Sequence, residues 1–292
     1  MYSRAQLADD FRALGVRAGD TIMLHASIRA VGEVAGGPDQ IHLALKDALT
    51  EDGTLMMYAA CSPYYDEVGR GSLEPEKERE LREKLPPYDA QTDRSARDNG
   101  FLVECLRTWP GSRVNDHVTR FVVSGRHADY LISEQPWDYA LGAGSALERL
   151  VELDGRILLL GSDHDAVTFL HYAEHIVDIP DKIVARYEVP VLVDGQKVWR
   201  PQVEVDSGDR AHANWPDRFF ALLTDSYLAR TGNTGGCVGN APAFLFSARD
   251  LLEHALPIMR AVAADPAAAR DLRELPPSSF PRRDASGSRD RR

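Results

Sequence analysis

Residues 21–59 read TIMLHASIRAVGEVAGGPDQIHLALKDALTEDGTLMMYA, and the class of the chain turns on this segment. Thr21-Ile-Met-Leu-His25 has the composition of a strand. A Gly-rich run, Gly32–Gly37, follows it; Pro38 then opens a helix through Leu49, and Asp52-Gly53 turns into a second strand, Thr54-Leu-Met-Met-Tyr-Ala. Strand, loop, helix and strand in this order favour a parallel pair, because a tight hairpin turn cannot join parallel strands.

Outward from this unit, residues 3 to 14 predict a short amphipathic helix opened by Ser3, with a turn over Gly15–Asp20. Downstream, 61–99 is charged and Pro-containing. A solvated helix is expected from Glu74 to Lys84, ended by Pro86-Pro87, and long insertions of this kind often carry substrate contacts. Helices are expected over Gly100–Trp109, Ser145–Leu153, Asp217–Arg230 and Ser247–Ala264, and strands at Phe121–Ser124 and Arg156–Leu160. Tyr187–Val193 and Lys197–Val205 predict a hairpin about Asp194-Gly195, which makes the sheet mixed; Gly232–Gly239 predicts a turn. The expected fold class is therefore α/β with a central mixed β-sheet.

With 292 residues, 43% of them hydrophobic, the chain can bury a substantial core, and a single catalytic domain over 1–270 is expected. Residues 271–292 are read as a disordered tail, because the segment from Pro276 onward has almost nothing to bury. The net charge of -11 argues against a nucleic-acid surface, which needs clustered Lys and Arg, and suits a cationic ligand. Cys61, Cys105 and Cys237 are too few and too far apart for a disulfide framework or a thiolate zinc site. The N-terminus lacks the apolar core of a secretory signal, and no stretch approaches the roughly 20 apolar residues of a membrane span. A cytoplasmic protein, monomer or homodimer, with neither nucleic acid nor membrane as partner is expected.

The densest chemistry lies in Asp165-Ala-Val-Thr-Phe-Leu-His171-Tyr-Ala-Glu174-His175, directly after the buried-strand pattern Arg156–Gly161. Two readings compete. His171 and His175 stand four apart and could hold zinc with Glu174 as base, in the manner of a zinc-dependent hydrolase, or His171 alone could be a general base. A nucleophilic triad built on Ser27 or Ser162 lacks the G-x-S-x-G elbow. Gly32–Pro38 has neither the dinucleotide fingerprint nor a phosphate-loop lysine. Glu204 and Asp206 close a predicted strand, and period two puts both on one face.

Five blocks in order bear on that choice. Leu24-His25-Ala-Ser27-Ile-Arg29-Ala-Val-Gly32 with Gly36-Gly37-Pro38 resembles the H-(A/S)-S-x-(R/K)-x-(V/I)-G signature of the aminoglycoside 3-N-acetyltransferase family. Asp52-Gly-Thr-Leu-Met with Ser62-Pro63-Tyr64, Arg107-Thr-Trp109-Pro110-Gly111-Ser112-Arg113, Asp165–Glu174 and Gly236-Cys-Val-Gly239-Asn-Ala241 are similar to its later blocks. The likeness spans about residues 4 to 265. It departs at Val114-Asn115-Asp116-His117-Val118-Thr119-Arg120, where the family's histidine remains but its Ser and Pro do not, and at Ala146, which replaces the Pro of a usual Ser-Pro step; these leave open a related enzyme acting on a different amine.

The resemblance implies acetyl-coenzyme A as co-substrate with no metal, and the 3-amino group of a 2-deoxystreptamine aminoglycoside as acceptor. It also implies a three-layer α/β/α fold distinct from the small GNAT-type acetyltransferase fold. On this reading His171 is the base, Glu204 orients it and Glu174 supports it, while His175 has no part. Tyr64, Asp66, Glu67 and Asp206 would meet the polycation. On the donor side, Arg29, Arg94 and Ser95 would take the phosphates of coenzyme A with backbone help near Gly36, Ser27 would face the thioester oxygen, and His25 would either approach the pantetheine arm or be structural.

Overall fold

The computed structural model describes residues 1–207 and 211–273. Helix α1 (Arg4–Ala13) opens with a capping box in which Gln6 N donates to Ser3 Oγ and Ser3 N donates to Gln6 Oε1. Strand β1 (Thr21–Ala26) follows, then a one-turn helix α2 (Ile28–Val31), α3 (Asp39–Leu49) and β2 (Thr54–Tyr58). β1 and β2 pair in parallel, Thr21 opposite Thr54 and Met23 opposite Met56, as the strand-helix-strand order predicts.

The chain continues through α4 (Pro63–Glu67), α5 (Pro75–Lys84), α6 (Phe101–Arg107), β3 (Arg113–Val114), β4 (Phe121–Gly125), α7 (Ala128–Leu131), α8 (Ala146–Glu152) and β5 (Arg156–Leu160). Then come α9 (Leu170–Ile176), β6 (Val184–Val193), β7 (Gln196–Val205), α10 (Phe219–Thr231), β8 (Gly236–Val238), β9 (Ala241–Ser247), α11 (Ala248–Ala264) and α12 (Arg270–Arg273). The seven-stranded sheet has the order β3-β4-β2-β1-β5-β9-β8. β1 pairs in parallel with β2 and β5, whereas β4 and β9 join antiparallel on either side.

The sheet is mixed, but not for the expected reason. β6 and β7 form a separate two-stranded ribbon around Asp194 and Gly195, both at positive φ as a type I′ turn requires, and take no place in the main sheet. Part of the expected Gly232–Gly239 turn is likewise a short edge strand, β8, paired with β9.

Period-two alternation divides the core between the two faces of the sheet. Met23, Met56, Ile157 and Leu159 pack with α8, α9, α10 and α11. Ile22, Leu24, Leu55, Met57, Leu158 and Leu160 pack with α1, α3 and α6. Helix, sheet and helix layers result, which is the three-layer arrangement. A third cluster joins Tyr65, Val68, Leu85 and Tyr88 of the 61–99 insertion to Tyr187, Val189 and Val191 of the ribbon. None of the α5 residues is buried, as their charge predicts. Leu272 of α12 packs against the core; the rest of the expected tail, from residue 274, lies outside the described residues.

Candidate active site

The central strands β1 and β5 lie side by side, yet the chain leaves β1 toward the α3 face and β5 toward the α9 face. Such a reversal opens a crevice at the carboxyl ends of the strands, where open α/β sheets bind ligands. Ser27 N donates to Leu160 O at 2.8 Å, and Ser162 Oγ donates to His25 O at 3.1 Å, so the two strand ends are tied together. Gly161 allows the close approach, because a Cβ there would lie 2.2 Å from Ala30 Cβ. Ser162, spent on a backbone carbonyl, is not placed as a nucleophile.

His171 and Glu174 share the inner face of α9 because residues three apart on a helix are neighbours. His171 Nδ1 lies 2.8 Å from Glu174 Oε2, and Ser207 Oγ donates to the same oxygen at 2.6 Å. Burial alone would raise the Glu174 carboxyl, but its bonds to His171 and Ser207 outweigh that and hold it below the usual range. An ionised Glu174 can only accept, so His171 Nδ1 is the donor and Nε2 is the ring nitrogen that Glu174 does not engage. The His171 side chain keeps 26% exposure, and Phe220 packs edge-on against its ring at 4.8 Å between centroids. His25 lies near the end of β1; its Nε2 is buried without a hydrogen-bond partner among the described residues, and burial together with His171 pushes it down to about 4.

Glu204 does not orient His171. Its Oε2 lies 2.8 Å from His175 Nε2, and its Oε1 accepts from Ala140 N. The other ring nitrogen of His175 lies 2.7 Å from the carbonyl of His171. Both imidazole nitrogens of His175 are thus engaged, so the H-x-x-E-H spacing does not present two histidines to a metal here. Among the described residues no group of three or more His, Cys, Asp or Glu is disposed to hold one. His175, left without a part by the sequence, instead ties α9 to the ribbon.

Glu204 and Asp206 do not act on one face either. β7 ends at Val205, and Asp206 turns toward Arg70 Nη1 at 3.5 Å while Glu204 stays buried. Arg70 also donates to Asp66 Oδ1 at 2.8 Å, so the structure brings Asp66 and Asp206 together through a cation the sequence reading missed. Tyr64 and Glu67, on the same short helix, are exposed.

Of the donor-side candidates, Ser27 leaves α2 without a side-chain capping bond and Arg29 is exposed beside it. Gly36 precedes α3 at φ 87. Segment 94–100 crosses the ends of β1 and β2, with Ala96 N donating to Ala60 O at 2.8 Å. There the Ser95 hydroxyl donates to Glu104 at 2.8 Å, which commits it to structure, and Arg94 pairs with Glu104 from an exposed position. Arg120, fully buried, organises this segment by donating to the carbonyls of Ala59, Ala90 and Asp93. His117 is structural: Thr119 N donates to its Nδ1 at 2.9 Å, and its Nε2–H donates to Trp137 O at 3.1 Å. Asn115 donates to Thr119 O and accepts from Phe121 N, closing the turn in which the family's Ser and Pro are absent.

Fold and site define a three-layer α/β protein with a carboxylate-bonded histidine beside the switch point of its central strands. The family profile for aminoglycoside 3-N-acetyltransferases matches residues 23–260. The chain is 43% identical over 256 residues to aminoglycoside N(3)-acetyltransferase III of Pseudomonas aeruginosa, which covers 87% of this chain and 92% of that protein. It is 38% identical over 261 residues to aminoglycoside N(3)-acetyltransferase VII of Streptomyces paromomycinus, covering 86% and 89%. Among solved structures, AAC-IIIb in binary complex with CoASH superposes with a TM-score of 0.83 at 38% identity, over 89% of this chain and 97% of that one. Sisomicin-bound AAC-VIa superposes with a TM-score of 0.82 at 30% identity, over 89% and 98%. The chain belongs to the aminoglycoside 3-N-acetyltransferase family. Among the described residues no helix is long and apolar enough to cross a membrane.

Proposed function

We propose that this chain, as a single cytoplasmic catalytic domain over 1–270, moves the acetyl group of acetyl-coenzyme A to the 3-amino group of 2-deoxystreptamine aminoglycosides, with His171 as general base. The observation that carries this reading is the bond from His171 Nδ1 to Glu174, which leaves Nε2 as the ring nitrogen available to an acceptor. Aminoglycoside amines are largely ammonium ions at neutral pH, so the acceptor must lose a proton before it can attack a thioester. His171 Nε2 takes that proton, directly or through water. The amine nitrogen then bonds to the carbonyl carbon and sheds its second proton, the carbon–sulfur bond breaks, and the departing thiolate takes up a proton, so that one proton passes to solvent overall and no acetyl-enzyme is formed.

Glu174 stabilises the imidazolium that appears on the way, as the acid of a triad does, and Ser207 holds Glu174 in place. The backbone and hydroxyl of the Ser27 segment face the thioester oxygen, with the neutral His25 beside the pantetheine arm. Arg29 and the exposed Arg94 take phosphates of the donor, assisted by backbone groups near Gly36. Asp66, Asp206, Glu67 and Tyr64 receive the acceptor's cationic and ring surfaces. The fit of the chain to relatives named for binding CoASH and sisomicin supports both partners.

Release of free thiol from acetyl-coenzyme A over an aminoglycoside panel, with product mass determined, tests reaction, donor and acceptor together. Drug-independent thiol release, or a product without one added acetyl group, would sink the reading.

A further inference from the structure

Arg70 occupies a place built for an ammonium ion. Its guanidinium donates to Asp66 Oδ1 at 2.8 Å, lies 3.5 Å from Asp206 Oδ1, and sits 4.2 Å from the centroid of the Tyr187 ring. Two carboxylates and an aromatic face are the groups that recognise an alkylammonium. The receptor adjoins the proposed base: Asp206 precedes Ser207, whose hydroxyl donates to Glu174, which holds His171. Arg70 is therefore linked to His171 through its contact with Asp206, the adjacent Ser207 and the Ser207–Glu174–His171 bonds, rather than lying on a remote surface.

The backbone around Arg70 is built to turn. It stands between Gly69 and Gly71, at φ 85 and 75, in the left-handed region that side-chain-bearing residues rarely adopt. A Cβ at Gly71 would meet nothing within 4 Å, so conformation rather than crowding accounts for that glycine. Arg70 Nε also donates to the Asp66 carbonyl at 2.5 Å, so leaving the subsite breaks that bond as well.

We propose that Arg70 is an internal counter-cation that fills the ammonium subsite of Asp66, Asp206 and Tyr187, and that acceptor binding displaces it. The proposal rests on the acceptor assigned above. An incoming amine exchanges one cation for another at this subsite and gains little there. A polycation gains its surplus elsewhere in the acidic crevice, so Arg70 raises the affinity threshold and selects acceptors rich in amino groups. It is a specificity-determining residue; no covalent bond changes when it moves.

Calorimetric titration of the full chain with sisomicin, and with spermine as a cation that needs no turnover, tests this in Arg70→Gln, Arg70→Met and Arg70→Lys. The Gln and Met variants should bind both probes roughly tenfold more tightly, a gain of about 1.4 kcal/mol, while Lys stays near the parent chain and acetyl-coenzyme A affinity does not move. Weaker or unchanged binding by the neutral variants, or a Lys variant that behaves as they do, would overturn it. A second measurement needs no variant: the Arg70 Nε–H signal in a labelled parent chain should lose hydrogen-exchange protection when sisomicin is added, and retained protection overturns the proposal. A parent chain that releases Arg70 on binding sisomicin without acetylating it overturns only the assigned reaction; one that acetylates with Arg70 still protected overturns only the displacement.

Discussion

Nε2 of His175 lies 2.8 Å from Oε2 of Glu204, and both side chains are buried. Nδ1 of the same ring meets the His171 carbonyl, which can only accept, so Nδ1 carries a proton. The contact with Glu204 then needs a further proton, shared between imidazole and carboxyl. This pair joins α9, the helix of His171, to the ribbon strand β7 that leads into Ser207.

Glu204→Ala should cost about 3 kcal/mol of stability, since it strands one member of a buried pair. Glu204→Gln should cost markedly less. Its amide can donate to a neutral His175 while its oxygen still accepts from Ala140 N. Urea unfolding of the two variants checks the ordering, and equal losses would show that the shared proton is not what the site needs.

His171→Ala should lower kcat by roughly 10² or more, as loss of a general base does. Glu174→Gln should also lower it, because an amide no longer requires the proton to sit on Nδ1. Thiol-release kinetics decide this; turnover at the parent rate in His171→Ala would remove the residue from the mechanism.

Buried His117 is pushed down to about 4, chiefly by burial. An unfolded chain would protonate it near 6.5, so between those values the unfolded state binds the extra proton and the folded state does not. Stability from this group is whole above about pH 6.5 and is lost as pH falls toward 4. Melting curves of His117→Asn should show a shallower decline across that window than the parent chain; identical slopes would refute the assignment.

Arg120→Lys should destabilise the protein by about 2 kcal/mol or more, because an ammonium cannot reproduce a fork bound to carbonyls of two separate segments. Segment 90–95 should become the first site of limited proteolysis. Unchanged cleavage would mean that Tyr88 and the ribbon hold it alone.

Exhaustive dialysis against a chelator should leave acetyl transfer intact, since both nitrogens of His175 are already bonded within the protein. Activity lost on dialysis and restored by zinc would revive the metal reading.

The pairing of His171 with Glu174 was legible in the sequence because a run of apolar residues ending at Gly161 and a helix bearing both residues are local signals. It misassigned Glu204, whose strand was predicted correctly but whose partner depends on how the ribbon is seated. Ser207 and Arg70 carry no local signal at all: a serine after a strand and an arginine between glycines are common surface features.

What the amino-acid order determined by itself is whatever one helical turn, one strand period or one cap imposes: Ser3 with Gln6, the parallel pair β1 and β2, the Asp194-Gly195 turn, and His171 beside Glu174. Tertiary structure alone decided the pairs whose members lie far apart in the chain, Glu204 with His175 across 29 residues and Arg70 with Asp206 across 136. Backbone geometry fixes neighbours three and four residues apart at almost no choice, whereas distant side chains meet only where the packing of the ribbon and the insertion on the sheet brings them together.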